Sequence, residues 1–279
     1  MPKVGIAEAS ARSLLLTVLG EFVHARDGEV WTGTLVSALG ALGVEEKSAR
    51  QALSRTAAEG LLTSERHGRR VRWRLTPSGR QLLAEGTERI YGFMRGTREW
   101  DGRWLVISIA VPESQRQLRH RLRTRLTWLG MGSPSAGLWV VPDATKESEV
   151  RSAIRELDLW DRTYAWVGPA VDASESTRLL AEAWDLADVE TRYLDFIDTF
   201  GALEATSGED AFVAQTRLVQ DWRRFPFDDP DLPAELLDTW NHDWPGPRAA
   251  AIFHDRRTHW NRLAQAEWDR LDDEAGQRT

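Results

Sequence analysis

Between Glu8 and His24, apolar residues fall at Leu14, Leu15, Val18, Leu19 and Phe22, and these spacings of three and four predict an amphipathic helix. A second helix follows in "VWTGTLVSALGALG", with Leu35, Leu39 and Leu42 on one face, Thr32 or Thr34 as N-cap and Gly43 as its end. In the third, over 45–59, the small apolar side is Ala49, Ala52, Leu53 and Thr56. The opposite side carries Lys47, Gln51, Ser54 and Arg55, flanked by Arg50. The period then changes from helical to two. "LLTSERHGRRVRWRLT" predicts a hairpin turning at His67-Gly68, with Val71, Trp73 and Leu75 on one face and Arg70, Arg72 and Arg74 on the other. "TPSG" supplies Thr76 as N-cap and Pro77 at the first position of a fourth helix.

Beyond residue 100 the pattern alternates. The strand "GRWLVISIAV" ends at Pro112, and a basic helix with Leu118, Leu122, Leu126 and Leu129 follows. "GMGSPSAG" reads as a connecting loop, because it follows a helix and lacks the lysine of a nucleotide-binding loop. The strand "GLWVVP", the helix "ATKESEVRSAIRELDL" and the strand "TYAWVG" complete a split β-α-β arrangement with helices on one face. From Ser174 onward the pattern is helical, with a packing stripe of Leu186, Val189, Tyr193, Phe196, Ile197 and Phe200. The chain therefore divides into segments 1–95, 96–173 and 174–279, an α+β architecture.

Charge sharpens this division. The formal net charge of -7 is shared unevenly: 14 Lys+Arg against 10 Asp+Glu over 1–95, 11 against 11 over 96–176, and 11 against 22 over 177–279. An acidic chain with a basic first segment points to a polyanion as that segment's partner. Cysteine is absent, which excludes disulfides, thiolate metal sites and cysteine nucleophiles. There is no apolar run of about 18 residues, and "MPKVGIAEASARS" lacks the order of a secretion signal, so a cytoplasmic location away from membranes is expected.

Three helices and a hairpin are the order of a winged helix-turn-helix domain. In that arrangement Lys47, Arg50, Gln51, Ser54 and Arg55 face the major groove, and Arg66, Arg69, Arg70, Arg72 and Arg74 form a wing along the DNA backbone. Like charges one pleat apart repel, so the wing guanidiniums are expected to stand unpaired within the polypeptide until a duplex neutralises them. The competing reading is a charged edge strand that deters aggregation.

The run from "ARSLLLTVLGEFVH" through "LTPSG", the block "RWLVISIAVPESQRQLRHRLRTRLTWLGMGSPSAGLWVVP" and the block "DWRRFPFDDPDLPAELL" resemble, in that order, the PaaX family, bacterial repressors of phenylacetic acid catabolism. The resemblance implies a winged helix-turn-helix domain, a ferredoxin-like middle domain and a helical C-terminal domain. It also implies a homodimer that binds double-stranded operator DNA and releases it on sensing an aryl-CoA thioester such as phenylacetyl-CoA, with no resident cofactor. A CoA thioester needs cations and an apolar slot, for which Arg217, Arg223 and Arg224 beside Trp222 are candidates; the alternative for these arginines is a structural network with Asp228 and Asp229. The middle segment is also similar to the metal-dependent nuclease fold of CRISPR adaptation. That fold places an aspartate at the end of its first strand, and "VISIAVP" has no carboxylate, so a catalytically empty dimerisation scaffold is expected, its basic helix face (Arg116, Arg119, Arg121, Arg123 and Arg125) meeting DNA flanks or a phosphate-bearing ligand, with a nuclease as the alternative. A further alternative is a regulator of the same build that senses another metabolite.

Overall fold

Ser10 opens the first helix, its Oγ accepting from the Ser13 N–H at 3.2 Å, so that α1 spans Ala11–Val18. This is a computed structural model, and it describes residues 9–26, 28–95 and 99–277. The helix predicted over 8–24 changes pitch midway: a π turn, Leu19–Val23, and a 3-10 turn, His24–Arg26, follow α1, and Glu8 lies outside the described residues. The two-residue strand β1 (Val30–Trp31) precedes α2 (Thr32–Ala41). Neither Thr32 nor Thr34 caps α2. Thr32 Oγ1 instead donates to the Val71 carbonyl at 3.1 Å and accepts from Trp73 Nε1 at 2.8 Å, tying the helix start to the sheet. Past α2 the chain reverses at Gly43, whose φ of 89° suits glycine, and enters α3 (Glu46–Ala58).

Strands β2 (Leu62–His67) and β3 (Arg70–Leu75) pair antiparallel, with β1 on the far side of β3, in the order β1-β3-β2. Because His67 pairs with Arg70, the hairpin loop is Gly68-Arg69, one residue later than the pattern predicted, and Gly68 takes the positive φ of 64°. Thr76 caps α4 (Pro77–Gly92) as predicted, accepting from the Gly79 N–H at 3.0 Å. Gly79 is needed here: a Cβ would stand 2.1 Å from the Leu61 carbonyl oxygen.

The second sheet is built from β4 (Arg103–Ile109), β5 (Gly132–Ser135), β6 (Leu138–Val141) and β7 (Thr163–Pro169), with α5 (Arg116–Trp128) after β4 and α6 (Glu147–Arg155) after β6. Its order is β5-β6-β4-β7, antiparallel throughout, so β6 inserts between β4 and β5. The segment expected to be a loop therefore contributes β5, a strand hidden by its Gly-Ser-Pro-Ser composition. Leu105, Ile107, Ile109, Trp139 and Val141 meet Leu122, Leu126, Val150 and Ile154 in one core. Helices α5 and α6 thus share one face of the sheet, and the opposite face is met from beyond residue 173. Trp184, at the end of α7 (Ala173–Ala183), stacks on Trp104 and leaves no room for a side chain at Gly132.

The remaining elements are α8 (Leu186–Phe200), α9 (Gly208–Trp222), the short α10 (Phe225–Asp228) and α11 (Ala234–Trp240), and the long α12 (Gly246–Gln277). The entire predicted stripe of α8 is buried. In the turn after α10, the Asp229 carboxylate accepts from the Asp231 N–H (2.7 Å) and the Tyr193 hydroxyl (2.6 Å), while Asp231 takes a φ of 53°.

Packing groups the residues into two compact units. The first takes the described residues up to Phe93, Phe196–Arg223 and the described chain from Ala250 onward; the second takes Met94–Asp195 and Arg224–Ala249. In the first unit Phe22 lies against Phe212 (4.9 Å between centroids) and Trp268 (5.4 Å), so the N-terminal helices share a core with α9 and α12.

Candidate nucleic-acid interface

Helix α3 turns Ala49, Ala52, Leu53 and Thr56 inward, and Thr56 Oγ1 bonds back to the Ala52 carbonyl at 2.8 Å. The small residues on this side let the helix lie close to its neighbours. The outer face is Lys47, Arg50, Gln51, Ser54 and Arg55, all exposed as the periodicity predicted. Arg50 pairs with Glu46 at 2.8 Å one turn back. Among the described residues, Lys47, Gln51, Ser54 and Arg55 make no side-chain hydrogen bond or ion pair within the chain. Their chemistry, two cations between an amide and a hydroxyl, suits phosphates and base edges alike.

The hairpin departs from expectation. Arg72 pairs with Glu29 at 3.1 Å, and Arg74 with Glu65 at 3.2 Å and Glu29 at 3.7 Å. Arg70 donates to the Ala275 carbonyl at 3.3 Å and to that of Gly276, in the last turn of α12. The Trp31 ring stands against both Arg70 and Arg72, 4.4 and 4.3 Å from their guanidinium carbons. The row predicted to stand unpaired is thus occupied by groups of its own chain. The physical reason is β1. It places Trp31 opposite Arg72, with Glu29 just before it, while α12 brings carbonyls whose dipole end favours a cation. Arg26–Asp269 and Thr34–Asp272 contacts, the latter at 2.7 Å, fasten the same helix to the N-terminal segment.

Exposure ranks what is left. At the tip, Arg66 bonds only the Gly68 carbonyl, through Nε at 3.0 Å, and Arg69 has no polar side-chain partner among the described residues. Arg74 is half exposed, and such surface pairs are worth about 0–1 kcal/mol, weak enough to exchange for a phosphate. Arg70 and Arg72 are held from several sides. The cationic surface therefore comprises α3 and the hairpin tip more than the length of the strand.

Three family models match this chain in sequence order: PaaX-like protein over residues 10–79, PaaX protein central Cas2-like domain over 97–180, and PaaX-like protein C-terminal domain over 184–270. The chain belongs to the PaaX family. It is 29% identical over 261 residues to the transcriptional repressor PaaX of Escherichia coli (strain K12), covering 89% of this chain and 80% of that one. A solved structure of an uncharacterized protein from Mycobacterium tuberculosis shares the fold, with a TM-score of 0.63, 24% identity and coverage of 94% of this chain and 98% of the other.

Within this PaaX-family chain the four residues considered for an effector have different surroundings. Trp222 is 0% exposed. It stacks on Phe253 at 4.7 Å and donates through Nε1 to the Ile90 carbonyl at 3.1 Å, so it is core. Arg223 caps α9 against α1, bonding Thr17 Oγ1 at 3.0 Å and the Ser13 carbonyl at 3.3 Å. Arg217 and Arg224 are exposed. Of the two aspartates considered for a structural network, Asp228 pairs with Arg192 and Asp229 accepts from the Tyr193 hydroxyl.

The same PaaX-family unit holds a buried carboxylate that the sequence pattern did not single out. Glu21, on the π turn, accepts from Arg257 Nε (3.0 Å), Gln215 Nε2 (3.0 Å) and the Tyr91 hydroxyl, joining α4, α9 and α12. Its only sequence signal is an acidic residue on the apolar side of a predicted helix. Among the described residues no three His, Asp or Glu side chains cluster as metal ligands, and no helix is long and apolar enough to cross a membrane.

Proposed function

We propose that this chain is a DNA-binding transcriptional repressor, acting as a cytoplasmic homodimer on an aromatic-acid catabolic operon and released by an aryl-CoA thioester such as phenylacetyl-CoA. The observation that carries the DNA end is the exposed outer face of α3, where, among the described residues, Lys47, Gln51, Ser54 and Arg55 have no side-chain partner within the chain. We read α2, α3 and the β2–β3 hairpin as a winged helix-turn-helix, with α3 in the major groove and the hairpin tip on the backbone. The β5-β6-β4-β7 order supports reading the second sheet as a ferredoxin-like scaffold. Similarity to the Escherichia coli repressor supports repression as the sense of regulation. The effector and the dimer rest on family resemblance.

Operator binding tests this. Lys47→Ala and Arg55→Ala should each weaken operator affinity about tenfold or more in an anisotropy titration, as loss of a charged contact to DNA does. Wild-type affinity in both variants would refute the assignment of α3. The nuclease reading is disfavoured because Ile109, Ala110 and Val111, at the end of β4, offer no carboxylate to a cation. Labelled DNA incubated with the chain and manganese should stay intact.

A further inference from the structure

Where β4 ends and the chain turns at Pro112 towards α5, a cleft of about 760 Å³ opens. That volume lies within the range of small-molecule sites. Arg119 and Arg123 of α5 and Arg162, just before β7, line it together with Leu122, Leu138 and Trp139. The Arg123 guanidinium carbon lies 5.8 Å from the Trp139 ring centroid, and Arg119 donates to the Glu113 carbonyl at 3.3 Å. Among the described residues none of these three arginines is paired with a carboxylate, although Glu113 also borders the cleft. On the same helix Arg125 has been given a carboxylate partner, Glu156, at 3.0 Å. Three cations around an apolar floor thus await an anion, and their charge disfavours a metal ion at the place where the nuclease fold keeps its aspartate.

We propose that this cleft binds an organic phosphate carrying an apolar or aromatic group. Guanidiniums match phosphate oxygens in forked pairs, and the indole and leucines offer the non-polar part a surface to cover. A duplex backbone has no use for that floor, and inorganic phosphate would leave it empty. The proposal deepens the effector reading above and rests on it for the choice of thioester probe.

The experiment is isothermal titration of the full chain with phenylacetyl-CoA, coenzyme A, pyrophosphate and free phenylacetate. Phenylacetyl-CoA should bind the wild type, and Arg123→Ala and Arg162→Ala should each weaken it about tenfold or more. Arg178→Ala, whose side chain pairs with Glu175 elsewhere on the surface, should leave it unchanged. Leu138→Ser should narrow the preference for phenylacetyl-CoA over coenzyme A. Thioester binding that survives both arginine substitutions overturns the cleft and leaves the effector reading standing. Binding that is lost in both variants, with no effect of bound thioester on operator affinity, supports the cleft and overturns the effector reading. Silence of every probe with the wild type, or loss of DNA affinity in the cleft variants without ligand, refutes the proposal.

Discussion

Arginine does several different jobs in this chain, and its neighbours decide which. In Arg223 it caps a helix, in Arg70 and Arg72 it clamps an indole, and at Arg66 and Arg69 it is left in solvent. Only the last kind adds to counterion release on DNA, which sets the salt slope. Arg66→Ala with Arg69→Ala should therefore flatten the dependence of log affinity on log salt by about two contacts, on operator and random DNA alike. An unaltered slope would remove the hairpin tip from the interface. Asp229 shows burial acting on a carboxylate. Desolvation pushes it up to about 6, although hydrogen bonds from Tyr193 and the Asp231 N–H pull the other way. The folded state then holds a proton that the unfolded chain, near its ordinary value of 3.8, has released, so this residue lowers stability as pH rises from about 4 to about 6. The effect is on the order of 3 kcal/mol. Asp229→Asn should remove that fall in a comparison of unfolding midpoints at pH 4.5 and 7.5. Equal pH profiles for the two proteins would show that the carboxylate is not protonated in the fold.

At the scale of elements, α12 does what no local pattern announces. Its sequence predicts a helix over 248–273; the helix runs from Gly246 to Gln277, and its last turn lies on the arginine face of β3. Periodicity reads an element's own faces well, and the inner and outer sides of α3 fall where the spacing of Ala49, Ala52, Leu53 and Thr56 put them. It cannot read which distant element covers a face. By pattern alone the arginines of β3 therefore read as free, and Trp222 as available although it is core. Strands β1 and β5 were illegible for another reason: one is two residues long and the other is made of Gly, Ser and Pro, so their pairing partners define them. Glu21 is the clearest long-range tie, with partners on three helices. Removing it takes the acceptor from Arg257 Nε and one of two acceptors from Gln215 Nε2, which also donates to Asn261 Oδ1, so Glu21→Ala should cost about 3 kcal/mol in denaturant unfolding. A loss below about 1 kcal/mol would mean that water replaces the carboxylate freely.

At the scale of the molecule, the segments read along the sequence and the cores made by packing are not the same objects. Residues 1–95 contain every group proposed to contact DNA, and a fragment of that length carries α1, α2, α3, α4 and the hairpin. Yet Phe22 is covered by Phe212 and Trp268, Tyr91 by Phe253, and Phe93 by Trp222, all supplied from beyond residue 200. Exposing three such rings costs roughly 5–9 kcal/mol, taking about 1.5–3 for each large apolar side chain. A domain of that size has only about 5–10 kcal/mol of stability in all. The fragment 1–95 is therefore expected to lack a cooperative thermal transition by circular dichroism and to bind operator DNA weakly, whereas the full chain melts cooperatively. A sharp melt and full operator affinity in the fragment would show that α9 and α12 merely cover a self-sufficient domain. Failure of the fragment would make them part of the DNA-binding unit, so that a change in α12 reaches α3 through the shared core, without a separate messenger.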